Sequence, residues 1–334
     1  MEQKDVVIIG GGPAGLSAAI FTQFDGWNTL VLEANWVGGQ AAIASTVTNY
    51  PGFPPGDGAV LIDNLEKQVT SSLPAGVGAD LRREKVVRID AERRIVATEA
   101  NQYQAKVIII ATGSTMQKLG IPGEDKFAGK GVSYYAKRDA SEFANKRILV
   151  VGGGNSTAKS ALVAKAAGAN QVTLVHRRES LRAYSAMVKR LGREGIEIWY
   201  NTEVEEIKGT GQVDSAVVAN NVSDEKREIA ADWIVICVGT EPDTRLAQEA
   251  RLEMMGSSIK VNYKMMTSRQ GIFACGEITG ADRHLISSAA SGASAGMAAS
   301  EYMALEMVRN GGTFEGAING KYADEYLAML GLGE

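Results

Sequence analysis

Residues 5–24 read DVVIIGGGPAGLSAAIFTQF. The apolar, β-branched run DVVIIG breaks into GGGPAG and then into the alanine-rich LSAAIFTQF, which predicts a strand, a glycine turn and a helix in succession. Gly10, Gly12 and Gly15 fall at the spacing G-x-G-x-x-G, with Pro13 and Ala14 between the last two. Only glycine lets the chain turn this tightly, lets backbone approach a pyrophosphate, and lets the helix pack closely on the strand. The start of the helix then offers unpaired N–H groups to phosphate. The next strand, TLVLE, ends at Glu33, 23 positions past Gly10. A carboxylate there accepts hydrogen bonds from ribose hydroxyls. Strand, triplet, helix and acidic strand end in register predict a dinucleotide site; a glycine-rich hairpin turn would leave Glu33 unexplained.

The pattern recurs further along. RILVV (147–151), GGGNST (152–157), the alanine-rich AKSALVAKAAG and the strand QVTLVH repeat the module, with Gly152, Gly154, Asn155 and Ser156 at the turn. Here the residue 24 positions after the first glycine is His176, and Arg177, Arg178 and Arg182 follow it. A carboxylate repels a 2′-phosphate, whereas guanidinium forks bind it through charged, geometrically matched hydrogen bonds. The second module is therefore expected to prefer NADPH to NADH; the competing reading of HRRESLR is a solvated basic patch at a helix start.

Composition narrows the classes. At 334 residues the chain exceeds one ordinary hydrophobic core and fits two domains. It is 45% apolar and 22% charged with 38 glycines, a globular composition. A net charge of −4 and a pI near 5.5 supply no basic field for nucleic acid or an anionic membrane. No apolar run approaches a spanning helix and the N-terminus carries no signal-peptide pattern, so a cytoplasmic location is expected. Cys237 and Cys275, the two cysteines, lie 38 positions apart, which gives neither a disulfide framework nor C-x-x-C. Both read as buried apolar side chains.

Five motifs then carry a resemblance to the low-molecular-weight thioredoxin reductase family, up to about residue 308: GGGPAGLSAA (10–19), GGQ with TNYPGFP (38–54), IIIATGS (108–114), VVGGGNS with HRRESLRA, and GIFACGEIT (271–279). The resemblance implies an α/β chain of two Rossmann-like, three-layer dinucleotide-binding domains, the NADPH domain inserted in the FAD domain. The expected parts are a first FAD-binding part at 1–116, the inserted NAD(P)H-binding domain at 117–243, a second FAD-binding part at 244–310 and a C-terminal extension at 311–334. By the same resemblance Gly10, Gly12, Ala14, Gly15, Glu33, Gln40, Asn49, Val86, Thr112, Gly113, Gly276, Glu277, Arg283 and His284 surround FAD. A helix beginning near Leu285 would aim its positive end at the flavin pyrimidine edge. A homodimer is also implied.

One departure bears on function. The family segment G-V-S-Y-C-A-T-C-D reads GVSYYAKRD here at 131–139, so Tyr135 and Arg138 replace both redox cysteines while Gly131, Ser133, Tyr134, Ala136 and Asp139 stay in register. Disulfide exchange needs a thiolate, which neither replacement supplies. Asp139, by resemblance the acid that serves the departing thiolate, loses that partner. Glu277 replaces the usual aspartate, Lys159 and Ser160 replace two glutamates, and His284 a glutamine. The tail holds Phe314, Tyr322 and Tyr326. Ferredoxin–NADP reductases of the thioredoxin-reductase type also lack the cysteine pair and extend at the C-terminus, where they place an aromatic ring over the flavin.

The expected function is an NADPH-dependent FAD oxidoreductase passing electrons to a non-disulfide acceptor, ferredoxin or flavodoxin first, with a quinone, free flavin or oxygen also feasible. The alternatives are a thioredoxin reductase-like disulfide reductase with an atypical or absent thiol pair, and a flavin-based redox sensor.

Overall fold

The computed structural model describes residues 1–44, 46–71 and 78–310. The expected C-terminal extension and its three aromatic residues lie outside the described residues. Among the described residues, those up to 114 and those at 242–310 pack as one unit, and Thr115–Glu241 as another.

The first unit begins β1 (Glu2–Ile9), α1 (Pro13–Phe24), β2 (Thr29–Glu33), α2 (Gly39–Ala42), α3 (Gly58–Thr70), β3 (Asp80–Arg83), β4 (Val86–Asp90), β5 (Ile95–Thr98) and β6 (Gln102–Ile110). Its sheet runs β3-β2-β1-β6-β5-β4. The first four of these strands are parallel and the β4-β5-β6 end is an antiparallel meander. Val6, Val7, Ile8 and Ile9 are all buried, as expected of a parallel strand covered on both faces.

In the second unit come β8 (Val132–Ser133), β9 (Arg147–Gly152), α4 (Asn155–Ala166), β10 (Gln171–Val175), α5 (Ser185–Arg193), β11 (Glu197–Trp199) and β15 (Trp233–Cys237). Between β11 and β15 lie β12 (Thr202–Gly209), β13 (Val213–Asn220) and β14 (Lys226–Ala230), an antiparallel sheet of their own. The parallel sheet runs β11-β10-β9-β15-β8. Hydrophobic clusters cover both of its faces: the alanine side of α4 (Ala158, Ala161, Ala164) on one, and Phe127, Val204 and Val218 on the other. The strands β7 (Ser114–Met116) and β16 (Thr240–Pro242), at the two crossings between units, pair with each other.

The chain returns to the first unit through α6 (Arg245–Glu249), β17 (Met254–Met255), β18 (Ser258–Ile259), β19 (Ile272–Ala274) and α7 (Leu285–Arg309). β19 adds to the upper half of β6, pairing Ile272 to Ala274 with Ile108 to Ile110, while the lower half of β6 holds β5. α7 lies along α1. A methyl group at Gly292 would stand 2.0 Å from the Ala14 carbonyl oxygen, and one at Gly296 2.7 Å from that of Ala18. Those two glycines are what let the helices approach so closely. Among the described residues no helix is long and apolar enough to cross a membrane.

Candidate functional site: two glycine cradles and an aromatic–cation cluster

The turn after β1 is built as its residues require. Gly10 has φ +110°, and a Cβ there would meet the Ala111 carbonyl oxygen at 2.3 Å. A Cβ on Gly15 would lie 1.9 Å from the Gly10 carbonyl oxygen. Gly12 differs: it caps α1 in an extended conformation, with Pro13 and Ala14 opening the helix, and nothing lies within 4 Å of where its Cβ would be. Two glycines are thus required by the fold, and the third leaves open space at a helix N-terminus where an anion fits. Glu33, at the end of β2, accepts the Gly11 N–H at Oε2 and the Asn35 N–H at Oε1, each at 2.8 Å. Its carboxylate is oriented by these bonds and keeps lone pairs for hydroxyl donors.

Residues far apart in sequence meet around Glu277. Its Oε2 accepts the Ser114 hydroxyl at 2.8 Å, its Oε1 pairs with Arg283 Nε at 2.9 Å, and Gln40 Nε2 donates to Ser114 Oγ at 2.8 Å. Gly276 reaches φ +82° beside Ala14, its N–H donated to Ser291 Oγ. Thr112 donates its hydroxyl to the Asp243 carbonyl, and the N–H of Asp243 returns to the Gly113 carbonyl. His284 is the N-cap of α7, but its side chain caps nothing. Its own N–H is taken by the Asp282 carbonyl, so the open donors at that helix end are those of Leu285, Ile286 and Ser287. Asn49 is exposed in a loop. Val86 is buried in the core with Ile89 and Val96, which leaves only its backbone for a cofactor. Ser114, which joins Gln40 to Glu277, had no sequence signal beyond following ATG.

The second unit repeats the cradle with a different floor. Gly152 has φ +140° and backs onto the Cys237 carbonyl, while Gly154 again has nothing within 4 Å of a Cβ. Asn155 opens α4 and Ser156 is exposed in its first turn. The Thr157 hydroxyl accepts the Gly154 N–H and donates to the Cys237 carbonyl, both at 3.2 Å. His176 was expected to face the nucleotide. Instead β10 ends one residue earlier, at Val175, and the imidazole is 5% exposed. Its ring lies under the glycine turn, 2.1 Å from where a Cβ on Gly153 would stand. Burial lowers its pKa below the ordinary histidine value, with Arg182, Arg178 and Arg177 adding to the effect and a hydrogen bond to the Ser180 backbone opposing it. The ring is a neutral support, and among the described residues its Nε2 has no hydrogen-bond partner. Arg177, Arg178 and Arg182 are exposed, and among the described residues none pairs with a carboxylate. The Arg182 N–H donates to the Gly153 carbonyl at 2.7 Å, fastening that loop to the cradle.

The segment 133–139, where the resemblance would put the redox cysteines, is filled by side-chain contacts. The Arg138 guanidinium stacks over the Tyr135 ring at 5.1 Å and grips Asp139 through Nε and Nη2. Asp139 also accepts the Ser133 hydroxyl. Tyr134 donates its hydroxyl to the buried Glu124, which also accepts the Leu119 and Gly120 N–H groups. Burial pushes the Cys237 thiol up to about 11, against a contact with Ser160 Oγ. Cys275, wholly buried, is pushed up to about 12.

Two glycine cradles, an oriented acid in the first and clustered guanidinium groups in the second define a two-dinucleotide flavoprotein oxidoreductase. The chain belongs to the pyridine nucleotide-disulphide oxidoreductase family, whose model matches residues 4–299. It is 36% identical to the thioredoxin reductase of Treponema pallidum over 304 residues, 90% of this chain and 97% of that one. It is 34% identical to a 34.2 kDa protein in the rubredoxin operon of Clostridium pasteurianum, over 90% and 98% of the two chains. The crystal structure of Lactococcus lactis thioredoxin reductase superposes with a TM-score of 0.78 at 34% identity, over 90% and 98%. The chain is an FAD-dependent NAD(P)H oxidoreductase of the thioredoxin reductase type, with FAD and NADPH as its cofactors. Flavin, when bound, takes two electrons from reduced nicotinamide and can release them together or singly.

Proposed function

We propose that this chain is an NADPH-dependent reductase whose electrons leave the flavin without a dithiol relay in the protein. The Tyr135–Arg138–Asp139 cluster carries the reading: the two positions that would exchange disulfides hold a stacked aromatic–cation pair, and of the chain's two thiols Cys275 is buried and Cys237 half-buried, each with a raised pKa. FAD is assigned to the Gly12 cradle, with Glu33 on its ribose and Gln40, Ser114, Glu277 and Arg283 beyond it. NADPH is assigned to the Gly154 cradle, with Arg177, Arg178 and Arg182 on its 2′-phosphate.

For the acceptor, kinship favours a disulfide over ferredoxin or flavodoxin, since relatives spanning 90% of the chain carry the name thioredoxin reductase. The primary reading is therefore a thioredoxin reductase-like enzyme with an absent thiol pair, acting on a disulfide that itself reaches the flavin. A ferredoxin or flavodoxin partner is the second reading, favoured by the lost cysteines. Anaerobic stopped-flow mixing of the FAD-loaded protein with NADPH, and separately with NADH, should bleach the flavin band fast with NADPH only. Reoxidation is then timed with oxidised thioredoxin, a low-molecular-weight disulfide, and ferredoxin. Reoxidation by ferredoxin alone would transfer the assignment to the second reading; no bleaching by either nucleotide would leave a slow, sensor-like flavoprotein. A homodimer is proposed on kinship alone, to be checked by light scattering.

A further inference from the structure

Tyr184 is 71% exposed although aromatic, and among the described residues its hydroxyl makes no hydrogen bond and its ring no ring contact. Its backbone is nonetheless held. The Tyr184 N–H donates to Asn155 Oδ1 at 2.9 Å, on the first residue of α4. Two residues earlier, Arg182 is tied by its own N–H to the Gly153 carbonyl at 2.7 Å. The loop between β10 and α5 is thus pinned twice to the glycine cradle, and the side chains it leaves outward there are a guanidinium and a phenol ring. An exposed ring on a fixed backbone beside a nucleotide cradle loses little freedom on stacking and supplies a flat, rigid face to a base.

We propose that Tyr184 is the platform for the adenine ring of the nucleotide in the second unit. The inference rests on NADPH occupying that cradle. The end of the molecule follows from chemistry: the 2′-phosphate sits on the ribose that carries adenine, so the segment whose arginines meet that phosphate presents its aromatic ring to the attached base. Stacking does not read the 2′-position, so Tyr184 contributes affinity to NADPH and NADH alike while the arginines contribute the preference between them.

The test is equilibrium binding to the full FAD-loaded chain of three probes: NADPH, NADH and 2′-AMP, which carries adenine and the 2′-phosphate but no nicotinamide. Tyr184→Ala is expected to raise all three dissociation constants by about tenfold, and Tyr184→Phe to leave them within about twofold, since the ring and not the hydroxyl does the stacking. Arg178→Ala serves as a control and should weaken NADPH and 2′-AMP but not NADH. Unchanged binding of 2′-AMP in Tyr184→Ala, with the Arg178→Ala effect present, would overturn the platform and leave the nucleotide assignment standing. An equal loss in the Phe variant would overturn it too. Failure of the parent chain to bind any of the three would overturn both.

Discussion

Alanine at Gly12 and alanine at Gly15 differ by one small group in the same turn, and the structure assigns them opposite consequences. Gly12 sits at φ −76°, ψ −179°, a conformation open to any residue, and its methyl would meet nothing within 4 Å. Gly12→Ala therefore leaves the flavin-free fold intact: restriction of the unfolded chain contributes about 0.5 kcal/mol, alanine's poorer N-cap preference costs a similar amount, and the melting temperature should stay within about 2 °C of the parent. The same methyl occupies the space a pyrophosphate needs. Loss of one or two charge-assisted hydrogen bonds to helix-end amides costs about 3 kcal/mol, on the order of a hundredfold in FAD affinity.

Gly15→Ala behaves differently, because its methyl would stand 1.9 Å from the Gly10 carbonyl oxygen, and that partner is backbone that cannot rotate away. α1 must move off β1 by about 1 Å, an overpacking cost near 3 kcal/mol. Helix propensity returns only about 1 kcal/mol, so the net loss is about 2 kcal/mol, a fall of roughly 4–8 °C in the flavin-free protein. Thermal melts of the stripped chains, with FAD titrations followed by fluorescence quenching, separate the two. Gly154→Ala should repeat the Gly12 result for NADPH with FAD affinity unchanged. If Gly12→Ala keeps the parent's FAD affinity, or when stripped melts as far below the parent as Gly15→Ala does, the reading of Gly12 as ligand space is wrong.

Arg178→Ala should raise KM for NADPH by about tenfold while leaving NADH unaffected, narrowing the preference read from the ratio of their kcat/KM values. With thiols at about 11 and about 12, under about one part in a thousand of either cysteine is thiolate near pH 8; mass spectrometry after brief iodoacetamide treatment should find neither Cys237 nor Cys275 modified until the chain is unfolded. The Arg82 side-chain hydrogen bond lowers Glu2 from 4.5 to about 2, so this pair stabilises the fold above the ordinary glutamate value and the contribution fades as pH falls toward 2. Both groups are partly exposed, so the amount is about 1 kcal/mol or less, and Arg82→Ala should flatten the melting-temperature profile between about pH 5 and pH 2. Tyr135→Cys with Arg138→Cys restores two thiols across a turn whose Arg138 N–H already reaches the Tyr135 carbonyl at 3.0 Å. That spacing suits a disulfide, so the oxidised double variant should gain two titratable thiols on reduction; failure to form the bond would show that the segment is no longer relay-shaped.

What the sequence carried legibly was what stereochemistry makes strict. Gly10, Gly15 and Gly152 are where backbone meets backbone, and their spacing can be read without coordinates. Glu33 was legible because a strand end has one position from which a side chain reaches the next turn. The contacts around Glu277 were not, because Gln40, Ser114 and Arg283 come together only when β6, the β19 turn and the start of α7 are assembled, and no local pattern records that. Val86 came from resemblance, which conveys proximity but not which atoms face the ligand; its side chain went to the core. The β12–β13–β14 sheet went unread because EVEEIKG and KREIA mix charge and apolar residues without clean alternation.

His176 shows how a strand-end position can be read correctly while its side chain goes elsewhere than expected. In both modules the middle glycine of the consecutive G-G-G run (10–12 and 152–154) backs onto the residue at the end of the second strand: a Cβ on Gly11 would stand 3.2 Å from Glu33 Cβ, and one on Gly153 would stand 2.1 Å from the His176 ring. The middle glycine is therefore demanded by the neighbouring strand end as much as by any ligand. Where that residue is glutamate, the carboxylate takes the Gly11 N–H and still reaches the cradle's edge. Where it is histidine, the ring fills the space beneath the turn, and its burial, with the charges of three nearby arginines, lowers its pKa. A neutral, buried ring has no charge to offer a phosphate, which is why the proposed NADPH assignment rests on Arg177, Arg178 and Arg182. On that proposal the same backbone would support two nucleotide preferences, according to whether the strand-end side chain reaches the ligand or only holds up the turn that does.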